Sequence, residues 1–171
     1  MDTFFEQIVR VKKTGKDYGI IIGIWIAACV ISYIALLFLA RLLPLVLAVI
    51  CLVFYRAFKL SKMRFIEYEY IVTNDCLDID KIVAKSSRKR VMSIDVKNVS
   101  SIEKFNLGSK LPEGAEKTLV ACDADSSEAY ILTASAEGKG RRVLVFTPND
   151  RVKEGIVKFL PKYIANSAFK Q

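Results

Sequence analysis

The spacing of apolar and polar positions divides the chain into stretches of different period. From Gly19 to Tyr55 the only charged side chain is Arg41. The first run, GIIIGIWIAACVISYIALLFLA over Gly19–Ala40, reaches ~33 Å as a helix at ~1.5 Å per residue, enough to cross the hydrocarbon core of a bilayer. The apolar pattern resumes as LLPLVLAVICLVFYRAF over Leu42–Phe58, at the short end of the spanning range. Pro44 near its start suits the first turn of a helix, where a missing N–H costs little. The pattern therefore predicts an antiparallel hairpin of helices, 19–40 and 42–58, with a tight turn at Arg41–Pro44. A cleaved signal peptide fits poorly, because its apolar core would be only ~7–15 residues and no second run would follow. Full crossing is expected, and the short second helix leaves a re-entrant hairpin as the alternative.

In the basic N-terminal segment 1–18, DTFFEQIVRVKK places Phe4, Phe5, Ile8 and Val9 on one helical face. That spacing predicts an amphipathic helix, either lying at the membrane interface or packed on the soluble part. A basic linker is expected over 59–64. From Phe65 the period changes to short β-rich runs between turn residues, which predicts strands near 66–72, 77–84, 90–94, 96–105, 118–122, 129–133 and 142–146. Thr73-Asn74-Asp75, Ser86-Ser87, Asp123–Ser127 and Glu137–Gly140 read as hairpin-like links, and Asn106–Lys117 as one long loop. The period then becomes helical. Thr147 can cap, Pro148 sits at the first helical position, and Asp150 three residues after Thr147 gives an acidic capping box. Val152, Ile156, Phe159, Leu160 and Tyr163 form the apolar face of a helix over 148–160, with Pro161 kinking or ending it. The soluble domain is expected over 65–165, followed by a tail over 166–171.

Charge changes the picture by its distribution. The chain carries a net charge of +8, which invites a nucleic-acid reading. Yet Arg10, Lys12, Lys13 and Lys16 precede the apolar block, Arg56, Lys59, Lys62 and Arg64 follow it, and only Arg41 lies in the turn. From Phe65 onward 17 basic side chains face 15 acidic ones. The excess thus flanks the apolar block, as the positive-inside rule requires of a protein with both termini cytoplasmic. Nucleic acid is not an expected partner. The absence of histidine excludes Ser-His-Asp and Cys-His catalysis, His-ligated metals and a histidine pH switch.

Seven strands followed by one closing helix is the element order of pleckstrin-homology (PH)-like folds. The text EYEYIVTNDCLDIDKIVAKSSRKRVMSIDVKNVSSIEKF over Glu67–Phe105 resembles bacterial PH-like domains attached to membrane hairpins. In those families an extended Y-x-Y-x-[VIT] strand, a short turn, an L-x-I-x strand, a basic turn and an I-x-x-[VI]-x-x-I strand follow one another. The whole chain, from MDTFFEQIV to the final helix, resembles a family of small membrane proteins of Gram-positive anaerobes. The resemblance implies an α+β membrane protein: a two-helix transmembrane hairpin, then a PH-like seven-stranded antiparallel β-barrel or sandwich with a C-terminal capping helix. It carries no catalytic signature.

Candidate chemistry is sparse. Cys29, Cys51, Cys76 and Cys122 are scattered without C-x-x-C spacing, so they read as free thiols. Asp123-Ala-Asp125-Ser-Ser127 starts like a calcium loop but has Glu128 where that loop needs Gly and Ala134 where it needs Glu; it reads as a polar turn. Asp78 and Asp80, two apart in a strand, share a face. They are expected to lie on a solvated sheet face opposite Leu77, Ile79 and Ile82. Asn98-Val-Ser100 is a glycosylation sequon in text only. No metal or cofactor is expected. Lys85, Arg88, Lys89 and Arg90 are the one dense basic cluster of the soluble part, a candidate contact for anionic headgroups or an acidic partner, or else a solvated hairpin tip. In eukaryotic PH domains that bind phosphoinositides the basic loop lies between strands one and two. Here that link is the short, acidic Thr73-Asn74-Asp75, so the phosphoinositide function does not carry over. The juxtamembrane Arg56, Lys59, Lys62 and Arg64 are further candidates for headgroup contact.

The expected function is a non-enzymatic, membrane-anchored PH-like module of the cell membrane that scaffolds or regulates through a protein partner at the cytoplasmic face. The alternative is a sensor of anionic lipid headgroups. Membrane lipid is an expected partner on either reading.

Overall fold

The computed structural model describes residues 4–39, 41–107, 109–112, 114–123, 128–135, 140–166 and 168–169. In chain order the elements are strand β1 (Phe4–Arg10), helices α1 (Gly15–Leu39) and α2 (Leu43–Lys62), and strands β2 (Ile66–Thr73), β3 (Cys76–Val83), β4 (Ser87–Asp95), β5 (Val99–Phe105), β6 (Lys117–Val120), β7 (Ala129–Ser135) and β8 (Arg141–Phe146). Two short helices, α3 (Asp150–Val157) and α4 (Lys162–Ala165), close the chain. These elements form two compact units, one built on the helical hairpin and one on the strands.

In the hairpin unit both helices are long and apolar enough to cross a membrane. Thr14 and Asp17 open α1: the Asp17 carboxylate accepts from the Thr14 N–H (3.1 Å) and hydroxyl (2.9 Å), the acidic half of a capping box, while the Asp17 N–H donates to the Thr14 backbone carbonyl. Pro44 is the second residue of α2, where its missing N–H would have had no intrahelical partner. Helix α2 runs through Lys62, so most of the segment expected as a linker is its last turn. Lys and Leu favour helix, and cations suit a helix C-terminus. Ala28, Ser32 and Ala35 of α1 and Val46, Ala57 and Ser61 of α2 are buried, and their small side chains let the helices approach closely. Trp25 packs on Phe54 at 5.9 Å between ring centroids. Most of the remaining large apolar side chains, Ile22, Ile26, Leu37, Leu47 and Leu52 among them, point outward, as lipid-facing residues do.

The strand unit contains two four-stranded sheets, ordered β1-β2-β3-β4 and β5-β7-β8-β6. All seven expected strands form within two or three residues of the expected limits. The N-terminal segment departs from the expected helix: Phe4–Arg10 is an extended edge strand paired antiparallel to β2, from Phe4 opposite Thr73 to Arg10 opposite Glu67. Phe5 and Val9 turn toward the core, while Phe4 and Ile8 remain 61% and 52% exposed. FFEQIVR carries apolar side chains on both faces of a strand and so also fits a helical spacing. Unpaired N–H and C=O groups on β2 decide for the strand, since pairing satisfies a whole ladder.

The sheets do not close into a seven-stranded antiparallel barrel. Strand β6 pairs parallel to β8, Lys117 opposite Arg142 and Val120 opposite Val145, while β5 and β8 flank β7 antiparallel. Where a barrel would continue the ladder, side chains reach across instead. Lys117 donates to the Val91 carbonyl, and Arg142 donates to that of Ser93 (2.5 Å). The core lies between the sheets, with Tyr70, Val72, Leu77, Ile79, Leu132, Leu144 and Phe146 fully buried. A smaller cluster fills the opposite face of the second sheet. Phe105, Leu107 and Ala115, the last two from the long loop, pack there on Cys122, Ala129, Ile131, Val143 and Val145.

The N-cap of α3 is Asn149, whose side chain accepts from the Val152 N–H (2.9 Å), and not Thr147. The Thr147 backbone is already engaged: its carbonyl accepts from Gln7 (2.9 Å) and its N–H donates to the Tyr70 hydroxyl (3.3 Å). Helix α3 ends at Val157, and Pro161 opens the separate turn α4, because proline cannot continue the donor ladder.

Candidate functional site

Of the basic cluster singled out by its charge, only Lys85 stands at the hairpin tip. The tight turn is Ala84–Ser86, where Ala84 and Lys85 take positive φ (55° and 56°), and Arg88, Lys89 and Arg90 lie inside β4. One Arg88 nitrogen stands 2.7 Å from Oε1 and 2.6 Å from Oε2 of Glu69, a side chain with 0% exposure. Arg90 reaches Asp78 Oδ2 (2.8 Å) and Asp80 Oδ1 (3.3 Å). Asp78 and Asp80 are therefore buried ion-pair partners, in contrast to the solvated face expected of them, because Arg90 folds over them. Desolvation first, and then the hydrogen-bonded Glu6 and nearby Asp80, push the Glu69 carboxyl above the ordinary glutamate range against the pull of Arg88. Lys85 and Lys89 are exposed and make no ion pair among the described residues. The acidic turn is likewise tied down: Lys97 pairs with Asp75 at 2.5 Å and holds that carboxyl below its usual value.

The juxtamembrane candidates divide in the same way. Arg64 stands 3.7 Å from Asp17, and the Lys62 ammonium sits 4.3 Å over the Phe58 ring. Arg56 and Lys59 have no ion pair among the described residues.

A second candidate surface lies on the sheet and the long loop, where a protein partner's contact was expected but no residue was singled out. β5 is the outer strand of its sheet, so one side of its backbone has no partner strand. Beside it runs a groove of about 410 Å³ lined by Ser100–Lys104 of β5, by Tyr163 and Ile164 of α4 and by Phe169 beyond it. Tyr163, read from the sequence as part of an apolar helix face, is 75% exposed there. On the other side of β5 the long loop contributes Ser109, Lys110 and Pro112 to a recess of about 380 Å³ with Glu103 and Arg141. An unpaired strand edge beside an aromatic groove can take up an extended segment through main-chain hydrogen bonds and side-chain pockets. The one cue in the sequence was Pro161, which ends α3 and swings Tyr163 away from the core.

The remaining motifs stay apart. Cys29, Cys51, Cys76 and Cys122 are unpaired, and burial pushes the Cys122 thiol up. Among the described residues no group of three His, Cys, Asp or Glu could hold a metal. Residues 124–127, most of the calcium-loop look-alike, and 137–139 of the last turn lie outside the described residues.

Residues 1–166 match the family described as Bacterial PH-like domain (DUF6106). No curated protein and no solved structure matches the chain. No catalytic family is indicated.

Proposed function

The chain belongs to this bacterial PH-like domain family, and from that premise we propose that it is a membrane-anchored, non-enzymatic interaction module that holds an extended segment of a protein partner along β5. The observation that carries this reading is the open side of β5 beside the groove of Tyr163 and Phe169. The pairing of Arg88 and Arg90 with buried carboxylates argues against a lipid sensor built on β4, because anionic headgroups would compete with Glu69, Asp78 and Asp80 for the same guanidinium groups. Anchoring by a two-span hairpin is supported by the outward apolar faces of α1 and α2 and by sheet pairing. β1 precedes the hairpin and β2 follows it, yet they share a ladder, which supports a topology with both ends of the hairpin on one side of the membrane. The Lys and Arg bias supports the cytoplasm as that side. A cleaved leader would remove the edge strand.

A photo-crosslinking residue placed at Ser101, at Tyr163 or at Lys89 in the intact protein, in its own membrane, tests the reading. A discrete protein adduct at positions 101 and 163 and none at 89 is expected. Anionic lipid adducts at 89, with no protein adduct in the groove, would establish the headgroup sensor in its place.

A further inference from the structure

The hairpin unit holds a feature that the anchoring role does not use. Between α1 and α2 runs a groove of about 300 Å³ lined by apolar side chains, among them Ile24, Ala28, Ile31, Leu52 and Leu60, with a single charged residue, Arg56. The small Ala28 and Ala57 give the groove its floor, and the larger residues form its walls. Arg56 lies inside α2, six positions before its last residue. The α1 residues that line the same groove begin at Ile24 and Ala27, which follow Asp17, the last charged residue of that helix, by seven and ten positions. At ~1.5 Å per residue the groove therefore begins ~10–15 Å along α1 on the apolar side of Asp17. Helical side chains lean toward the N-terminus of their own helix, which for α2 is away from the end bearing Lys59 and Lys62. Among the described residues nothing partners the Arg56 guanidinium, whereas Arg64 has Asp17 and Lys62 has the Phe58 ring.

We propose that this groove is a binding site for one anionic phospholipid, its phosphate held by the fork of Arg56 and an acyl chain lying along Ile24, Ala28, Ile31 and Leu52. An unpartnered cation at the mouth of an apolar furrow matches both halves of such a molecule, and a guanidinium pairs with phosphate oxygens in bidentate fashion. An anionic lipid also supplies the counter-charge that a cation at this depth requires. The proposal rests on the membrane-anchored reading and is independent of what β5 binds.

Trp25, the only tryptophan, follows Ile24 in the sequence and packs on Phe54 at 5.9 Å; it lies beside the groove and not in its lining, one residue from its wall, and serves as the reporter of a quencher held there. The full chain is reconstituted in vesicles of phosphatidylcholine with a minor fraction of phosphatidylglycerol, with bromine on the acyl chains of one lipid or the other. Brominated phosphatidylglycerol is expected to quench Trp25 with about fivefold preference over brominated phosphatidylcholine at equal mole fraction. Arg56→Gln should abolish the preference, Arg56→Lys should keep part of it, and Arg41→Gln at the far turn should leave it intact. Equal quenching by the two lipids, or a preference that survives Arg56→Gln, overturns the site while leaving the anchor standing. Loss of the preference in Arg41→Gln overturns it too, since net charge alone would then account for the effect. Absence of quenching by either lipid overturns the anchor and the site together.

Discussion

Replacing Gly155 by alanine tests the docking of the first strand on the last part of the chain. In α3 a Cβ at Gly155 would lie 2.6 Å from Cδ2 of Phe5 and 3.3 Å from Cγ1 of Val72. Alanine is better than glycine in a helix by ~1 kcal/mol, but forcing a methyl against a packed ring costs ~1–3 kcal/mol. Gly155→Ala should therefore destabilise the strand unit by ~1 kcal/mol. Phe5→Ala should cost ~2 kcal/mol, less than the ~3–5 of a fully buried phenylalanine, because Phe5 is only half-buried. With the ring gone the only close atom left is Val72 Cγ1 at 3.3 Å, which a shift of a few tenths of an ångström relieves, so Gly155→Ala in the Phe5→Ala background should stabilise by ~1 kcal/mol. The sign reversal amounts to a coupling of ~2 kcal/mol between residues near opposite ends of the chain. Pulse proteolysis of the full chain in detergent micelles across a urea series reads all four midpoints. Additivity within ~0.5 kcal/mol, or no cost for Phe5→Ala, would refute the docking of β1 and return the N-terminal segment to the amphipathic helix that its spacing suggests.

Three further outcomes follow from the same geometry. Tyr70 donates to the Ala121 carbonyl (2.5 Å) and accepts from the Thr147 N–H, and burial pushes its pKa from 10.0 up to about 12; the unfolded chain then ionises first, so stability is intact below pH 10 and falls as pH rises toward 12. Tyr70→Phe should cost ~1–3 kcal/mol at neutral pH from the orphaned backbone groups and flatten that alkaline fall, measured as urea midpoints against pH. Arg88→Ala leaves Glu69 buried without its cation and should cost ~2–3 kcal/mol, reduced from ~3–5 because Arg88 is half-exposed. Since the folded Glu69 carboxyl already titrates above its unfolded value, the loss should shrink on acidification as Glu69 takes up a proton, and a loss constant with pH would reduce Arg88 to a packing role. In intact cells and a cysteine-free background, a cysteine at Arg41 should react with an impermeant reagent and cysteines at Lys16 and Lys62 should not; labelling at position 62 from outside would refute the two-span topology.

The periodicity of the sequence determined both apolar helices and seven strands, because each signal is local. A charge-free run long enough to cross a bilayer has few other uses, and short β-branched stretches between turn residues rarely form anything but strands. The order of those elements matches PH-like folds, and the family itself was implied by the resemblance of the text over Glu67–Phe105 to bacterial PH-like domains. Other features depended on groups distant in the chain. FFEQIVR fits helix or strand equally well by spacing, and only the vacant edge of β2, past both apolar helices, makes it a strand. In the alternation EYEYI nothing marks Glu69 as buried; Arg88 and Glu6 arrive from two other strands to cover it. The cap moved from Thr147 to Asn149 because Tyr70 and Gln7 had already engaged the Thr147 backbone. The open edge of β5 with its groove likewise depends on which strand ends a sheet and where Pro161 directs the chain. Local patterns therefore fixed the elements, and pairing between distant backbone and charged groups fixed the surfaces available for binding, since the free energy of a buried polar group depends on the partner that reaches it.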